Sequence, residues 1–137
     1  ETGYKFDRLP KLAELVSQCA NVPIHRNKPL LGSGNFTRES GIGINFVMND
    51  PLVMFGTHPA FTGRVGEVVL GKKSGKMSIT FKMDQLGLGE ASDDQVAEML
   101  DLVKSAGIKK RDILSDDEFK AIVDKVRSGG AGQQAAE

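Results

Sequence analysis

Few side chains in this sequence could do chemistry, and their spacing limits what that chemistry could be. The two histidines, His25 and His58, have no second His, Cys or carboxylate at a ligand-like spacing, so no self-contained metal site is expected and both read as loop histidines. Lys72-Lys73-Ser74-Gly75-Lys76 could form an anion-binding turn at a helix start, with backbone N–H groups beside Lys72, Lys73 and Ser74 meeting a phosphate. It lacks the upstream glycine spacing of a nucleotide-binding loop, and a solvated basic turn is the plainer alternative. Glu39, in Thr37-Arg38-Glu39-Ser40-Gly41, is the carboxylate of most interest, because its glycine neighbourhood lets backbone approach a ligand closely. A helix cap or an ion pair with Arg38 is its structural alternative. No Ser-His-acid arrangement and no isolated pair of carboxylates can be assembled. The residues therefore do not make a complete enzyme, and no catalytic residue is assigned within this chain.

The candidates sit in a stretch that is costly to order. From Asn27 to Gly75 the chain punctuates itself with Lys28-Pro29, Asn49-Asp50-Pro51 and His58-Pro59, and with glycines at 32, 34, 41, 43, 56, 63, 66, 71 and 75. Loops of this length inside small domains are normally held by function or by another surface, so the stretch asks for a partner. The 137 residues suffice for one domain or two small subdomains. With 18 basic against 18 acidic residues, evenly spread, there is no electrostatic footprint for nucleic acid. No apolar run is long enough to span a bilayer, and no signal-like start is present. Cys19 is the single cysteine, which excludes an internal disulfide and points to a reducing, cytoplasmic setting. Its place on an apolar helix face reads as a core thiol, not a nucleophile.

Helical periodicity frames that stretch on both sides. Leu9, Leu12, Leu15, Val16 and Cys19 predict a helix over Asp7 to Asn21, with Asp7 as cap and Pro10 in the first turn. A short helical turn is expected over Gly41 to Phe46. Leu52 to Phe55 and Val65 to Leu70 read as strands or buried extended chain. Ser78 to Leu86 carries conflicting signals: Ile79, Thr80 and Phe81 favour a strand, while Ile79, Met83 and Leu86 share a helical face. Helix is preferred, with Ser74 as cap and Gly87 as stop. Ser92 with Gln95, and Ser115 with Glu118, are capping boxes. The first opens a helix through Val96, Met99, Leu100 and Val103 to Gly107, the second one through Phe119, Ile122, Val123 and Val126 to Gly129.

The expected fold is therefore mainly α: a loop-rich N-terminal subdomain over 1–65, a small three-helix subdomain over 66–128, and a frayed tail over 129–137, with no complete barrel.

Three motifs in fixed order resemble one known family. Asn27-Lys28-Pro29 with Gly32, Phe36-Thr37-Arg38-Glu39-Ser40-Gly41-Ile42, and Leu70-Gly71-Lys72-Lys73-Ser74-Gly75-Lys76, after a helix at Leu9 to Cys19, resemble the region following the catalytic barrel in the 2-isopropylmalate, homocitrate and citramalate synthases. The resemblance covers roughly residues 1–127. It implies a parent acyltransferase of amino-acid biosynthesis with a divalent metal in a TIM barrel, joining the acetyl group of acetyl-CoA to a 2-oxoacid by a Claisen-type condensation. It further implies that this region covers the barrel mouth of the dimer mate, with Arg38, Glu39 and Ser40 shaping that site. Two positions depart from the pattern. Family members usually continue Ser-Gly-Ile-His, where this chain has Gly43. They often carry a Tyr five residues before the proline of an Asp-Pro pair, where this chain has Met54, with His58 in place of the Asp. Glycine and a thioether cannot carry a proton as imidazole and phenol do. A free-standing helical interaction module without catalytic activity is the alternative reading, and a phosphate-binding module using Lys72 to Lys76 a third.

Overall fold

The computed structural model describes residues 3–130, which are mainly helical and contain no barrel. They divide into two compact units, Glu1–Thr37 with Asn45–Glu67, and Arg38–Ile44 with Val68–Glu137. The division is interleaved, with residues 38–44 grouped with the C-terminal unit.

In the first unit a 3-10 turn at Phe6–Arg8 leads into α1, Leu9–Ala20, with Pro10 in its first turn and Asn21 left-handed at its end. The helix is where its periodicity puts it, but two expectations fail. Asp7 lies in the 3-10 turn and no side chain caps α1. Cys19 is exposed rather than a core thiol, because no residue of α1 is buried. An apolar stripe identifies a face that can be covered without supplying the cover. Here Leu12 and Val16 remain more than half exposed and, with Val22, Ile24 and Leu31, line an open groove of about 550 Å³.

The unit is organised instead around Phe36, buried and at positive φ, with Phe55 edge-on to its ring and the Arg64 guanidinium 5.5 Å above it. Arg64 Nη1 also donates to the Gly32 carbonyl at 2.7 Å, which ties the Asn27–Gly34 loop down. A short helix α2, Ile44–Asn49, follows. Leu52 to Phe55 is neither strand nor buried run. Pro51, with φ already set, starts a 3-10 turn over Pro51–Val53 that leaves Leu52 and Val53 exposed.

Two-residue strands β1, Thr37–Arg38, and β2, Glu67–Val68, pair as a minimal sheet. Within the first unit Glu67 N–H donates to Phe36 O, and within the second Val69 N–H donates to Arg38 O. The run over Val65 to Leu70 thus becomes a two-residue strand followed by an isolated bridge from Leu70 to Leu114.

The second unit is the three-helix body: α3, Lys76–Gln85; α4, Asp93–Lys110; α5, Asp116–Gly130. Ile79, Met83, Val96, Met99, Val103, Phe119, Val123 and Val126 form one core with Leu70 and Leu114. Burial of Ile79 and Met83, one turn apart, decides the strand-versus-helix conflict for helix. Gly75, not Ser74, caps α3, because the Ser74 hydroxyl is turned back onto the Gly71 N–H. Gly87, at positive φ, follows the end of α3 as expected.

Both capping boxes form. Ser92 and Gln95 exchange bonds of 3.1 and 3.3 Å, Ser115 and Glu118 bonds of 2.6 and 3.2 Å. Gly107 does not stop α4, which runs to Lys110 and is capped by left-handed Arg111. Gly129 and Gly130 are helical, where a frayed end is expected, and the remainder of that tail lies outside the described residues. No helix among the described residues is long and apolar enough to cross a membrane.

Candidate functional site

Two of the three motifs come together inside the second unit, where residues 38–44 meet the Leu70–Lys76 turn. Glycines permit the approach. A Cβ at Gly41 would lie 2.9 Å from Gly75 Cα, closer than backbone tolerates, and one at Gly71 would lie 2.5 Å from Glu39 Oε1 and push that carboxylate from its place. Through that gap the Lys73 N–H donates to Glu39 Oε1 at 2.9 Å. Ser78 Oγ donates to the Glu39 carbonyl at 3.3 Å and accepts the Gly75 N–H at 3.2 Å. Ser74, buried, accepts the Gly71 N–H at 2.9 Å, while its own N–H returns to the Gly71 carbonyl. The result is a bracket in which each polar group named has a partner.

This arrangement changes the reading of each candidate. Of the turn's donors, the Ser74 and Gly75 N–H groups bond locally and the Lys73 N–H meets Glu39, so the anion at this turn is the chain's own carboxylate. Arg38 does not pair with Glu39: its Nε and Nη2 both donate to the Ile42 carbonyl, at 3.1 and 3.0 Å. Ser40 Oγ accepts the Ile42 N–H at 3.4 Å. Together these two side chains shape a tight loop with Ile42 at its tip, 81% exposed. Gly43 follows at φ +82, a conformation L side chains rarely adopt. Lys72 and Lys73 are exposed.

The histidines are used locally in the first unit. His25 Nδ1 accepts the Asn27 N–H, and His58 Nδ1 accepts the Ala60 N–H at the start of the 3-10 turn Pro59–Thr62. No three His, Cys, Asp or Glu side chains among the described residues converge on a point that could hold a metal. The bracket between Glu39 and the Lys73 turn was not foreseen from the sequence. Its signal was an acid flanked by glycines in one motif and a second glycine pair, Gly71 and Gly75, in another.

The class these features define is a mainly helical region whose motif residues hold loops in place. No protein-family model matches the chain. Individual relatives do. It is 34% identical over 91% of its length to the probable 2-isopropylmalate synthase of Ignicoccus hospitalis, covering 31% of that protein. It is 29% identical over 92% to the (R)-citramalate synthase CimA of Methanocaldococcus jannaschii, covering 25%. It is 29% identical over 93% to the homocitrate synthase AksA of Methanothermobacter thermautotrophicus, covering 32%. The chain belongs to this family of isopropylmalate, homocitrate and citramalate synthases, and it spans about a quarter to a third of the length of the curated relatives it matches.

Proposed function

We propose that this chain is the region following the barrel in an acetyl-CoA-dependent 2-oxoacid synthase, serving there as accessory and dimerisation element over the mouth of the partner subunit's barrel. Family membership supports a Claisen-type condensation as the reaction class of the parent protein. The feature that carries the local role is the bracket joining the Glu-Ser-Gly segment to the Lys-Lys-Ser-Gly turn, which presents the Ile42 loop outward on a fixed base. In this reading Arg38, Glu39 and Ser40 act by holding that loop, excluding water from the closed site without exchanging protons. Gly43 and Met54 offer no proton to substrate, so proton transfer falls to barrel groups. In the same reading the divalent metal of this chemistry is held by the barrel.

The test is reconstitution. The purified chain is added to the separately prepared barrel of the parent protein, and CoA release from acetyl-CoA is followed across a panel of 2-oxoacids. Turnover only with both parts supports the reading and names the oxoacid. Stable binding without turnover assigns the branch a different reaction, and absence of binding returns the free-standing module to first place.

A further inference from the structure

The second unit has a cleft of about 550 Å³ that none of the roles above uses. Its floor is Gly107, where a Cβ would lie 2.8 Å from Lys72 N and 3.0 Å from Gly71 Cα, so the Lys72 turn rests on α4 backbone to backbone. Glu39, Lys72, Ile108, Arg111, Asp112 and Ile113 line the rest. Its size falls within the range of small-molecule sites.

Three kinds of group line this one cleft. The Lys72 ammonium and the Arg111 guanidinium have neither a hydrogen bond nor an ion pair with the described residues. The carbonyls ending α4 oppose an anion there only weakly, because Lys109 in the last turn offsets them and the field is screened at the surface. The two carboxylates are each half used. Glu39 Oε1 takes the Lys73 N–H at 2.9 Å and Asp112 Oδ1 the Ile113 N–H at 2.8 Å, while Oε2 and Oδ2 accept nothing from the described residues. Ile108, 62% exposed, and Ile113 supply an apolar wall.

A bare anion would use the two cations and leave both carboxylates facing like charge, and a purely apolar molecule would use the isoleucines alone. A ligand that meets all three kinds of group carries an anion, hydrogen-bond donors for the free carboxylate oxygens, and a body with an apolar face. A phosphate monoester has about two negative charges at neutral pH, which two cations match. The geometry points to a binding site for a nucleoside monophosphate. Arg111 and Lys72 take the phosphate, Glu39 Oε2 and Asp112 Oδ2 accept from ribose hydroxyls or an exocyclic amino group, and Ile108 and Ile113 pack on the base. The guanidinium fork suits phosphate oxygens, and the lysine adds a point charge. This assignment is independent of the synthase reading, since every lining residue lies in one unit and no barrel group is required.

The test is a titration of the isotope-labelled chain, 1–137, with AMP, ribose 5-phosphate, inorganic phosphate, adenosine and CoA, followed by amide NMR shifts. The expected result is saturable shifts at Lys72, Ile108, Arg111 and Ile113 with AMP, weaker binding of ribose 5-phosphate and phosphate, and no saturation with adenosine. Loss of one charge-assisted contact in Lys72→Ala or Arg111→Gly should weaken AMP binding about tenfold. Arg111 stands at φ +59, so glycine there relieves a left-handed side chain. The thermal unfolding of Arg111→Gly should then occur no lower than that of the wild type, and a lost titration cannot be ascribed to misfolding. Shifts that fail to saturate, phosphate binding as tightly as AMP, or undiminished binding in either variant would each overturn the assignment. Tighter binding of CoA than of AMP would give the cleft to the nucleotide end of CoA and overturn it as well.

Discussion

Gly107 shows how a single atom can outweigh helix propensity. Alanine is favoured over glycine in a helix interior by about 1 kcal/mol, yet the added methyl here would meet Lys72 N at 2.8 Å. Overpacking of this kind costs about 1–3 kcal/mol, so Gly107→Ala should lower the unfolding free energy by about 1–2 kcal/mol in urea titration. Gly129, with nothing within 4 Å of its would-be Cβ, is the matched control, and alanine there should be neutral or stabilising by up to about 1 kcal/mol. Glu39 gives the second residue-scale expectation. Removing its carboxylate takes the acceptor from the Lys73 N–H, which lies at the surface and can turn to water, at a net cost of about 0.5–1.5 kcal/mol. Glu39→Ala should therefore destabilise measurably and speed hydrogen exchange at Lys73, whereas Glu39→Gln, which keeps an acceptor, should lose about half as much. Equal losses in the two variants would show that the carboxylate is not held by that N–H.

At the scale of elements, α5 is the helix whose start responds to pH. Glu118 closes its capping box and also takes the Lys110 ammonium at 2.7 Å. The Lys110 hydrogen bond, then the Ser115 N–H, hold its carboxyl below the ordinary glutamate range. A depressed acid stabilises the fold above its unfolded titration range and loses that contribution as pH falls through the folded one. The thermal midpoint of the wild type should thus drop more steeply than that of Glu118→Gln between roughly pH 5 and 3. The two curves should differ little in shape near neutrality, and parallel curves throughout would remove Glu118 from the account. This helix also shows what was legible beforehand. Capping boxes are a local polar code, so Ser92 with Gln95 and Ser115 with Glu118 announced both helix starts correctly. Helix ends and short apolar runs depend on contacts distant in sequence. Gly107 read as a stop because nothing local reveals the Lys72 turn packed on it, and Leu52 to Phe55 read as extended because its apolar residues drew more weight than Pro51 before them. The bracket around Glu39 lay beyond reach for the same reason, although the glycines that permit it were visible.

For the molecule as a whole, the unequal distribution of core between the units leads to a prediction about their behaviour. The second unit buries ten apolar side chains in one cluster, and its amides should report its full stability. Within the first, α1 has no buried residue, and a helix of 12 residues is marginal in water without tertiary support. Periodicity alone made Cys19 a core thiol, since the pattern of Leu9, Leu12, Val16 and Cys19 is the same whether its cover lies in this chain or elsewhere. In the isolated chain, hydrogen exchange of α1 amides should approach within about tenfold of unstructured rates while α3, α4 and α5 stay protected. If the chain works as a region docked on its parent's barrel, the exposed stripe is the surface with most to gain, at about 1.5–3 kcal/mol for each large side chain fully covered. Adding the parent barrel should then protect α1 selectively, and Leu12→Glu with Val16→Lys should abolish that protection while leaving α4 and α5 exchange unchanged. Protection of α1 already present in the isolated chain would mean that the helix is held without the barrel. Protection by the barrel that survives the double substitution would place the docking surface on another face, with the Ile42 loop the next to be tested.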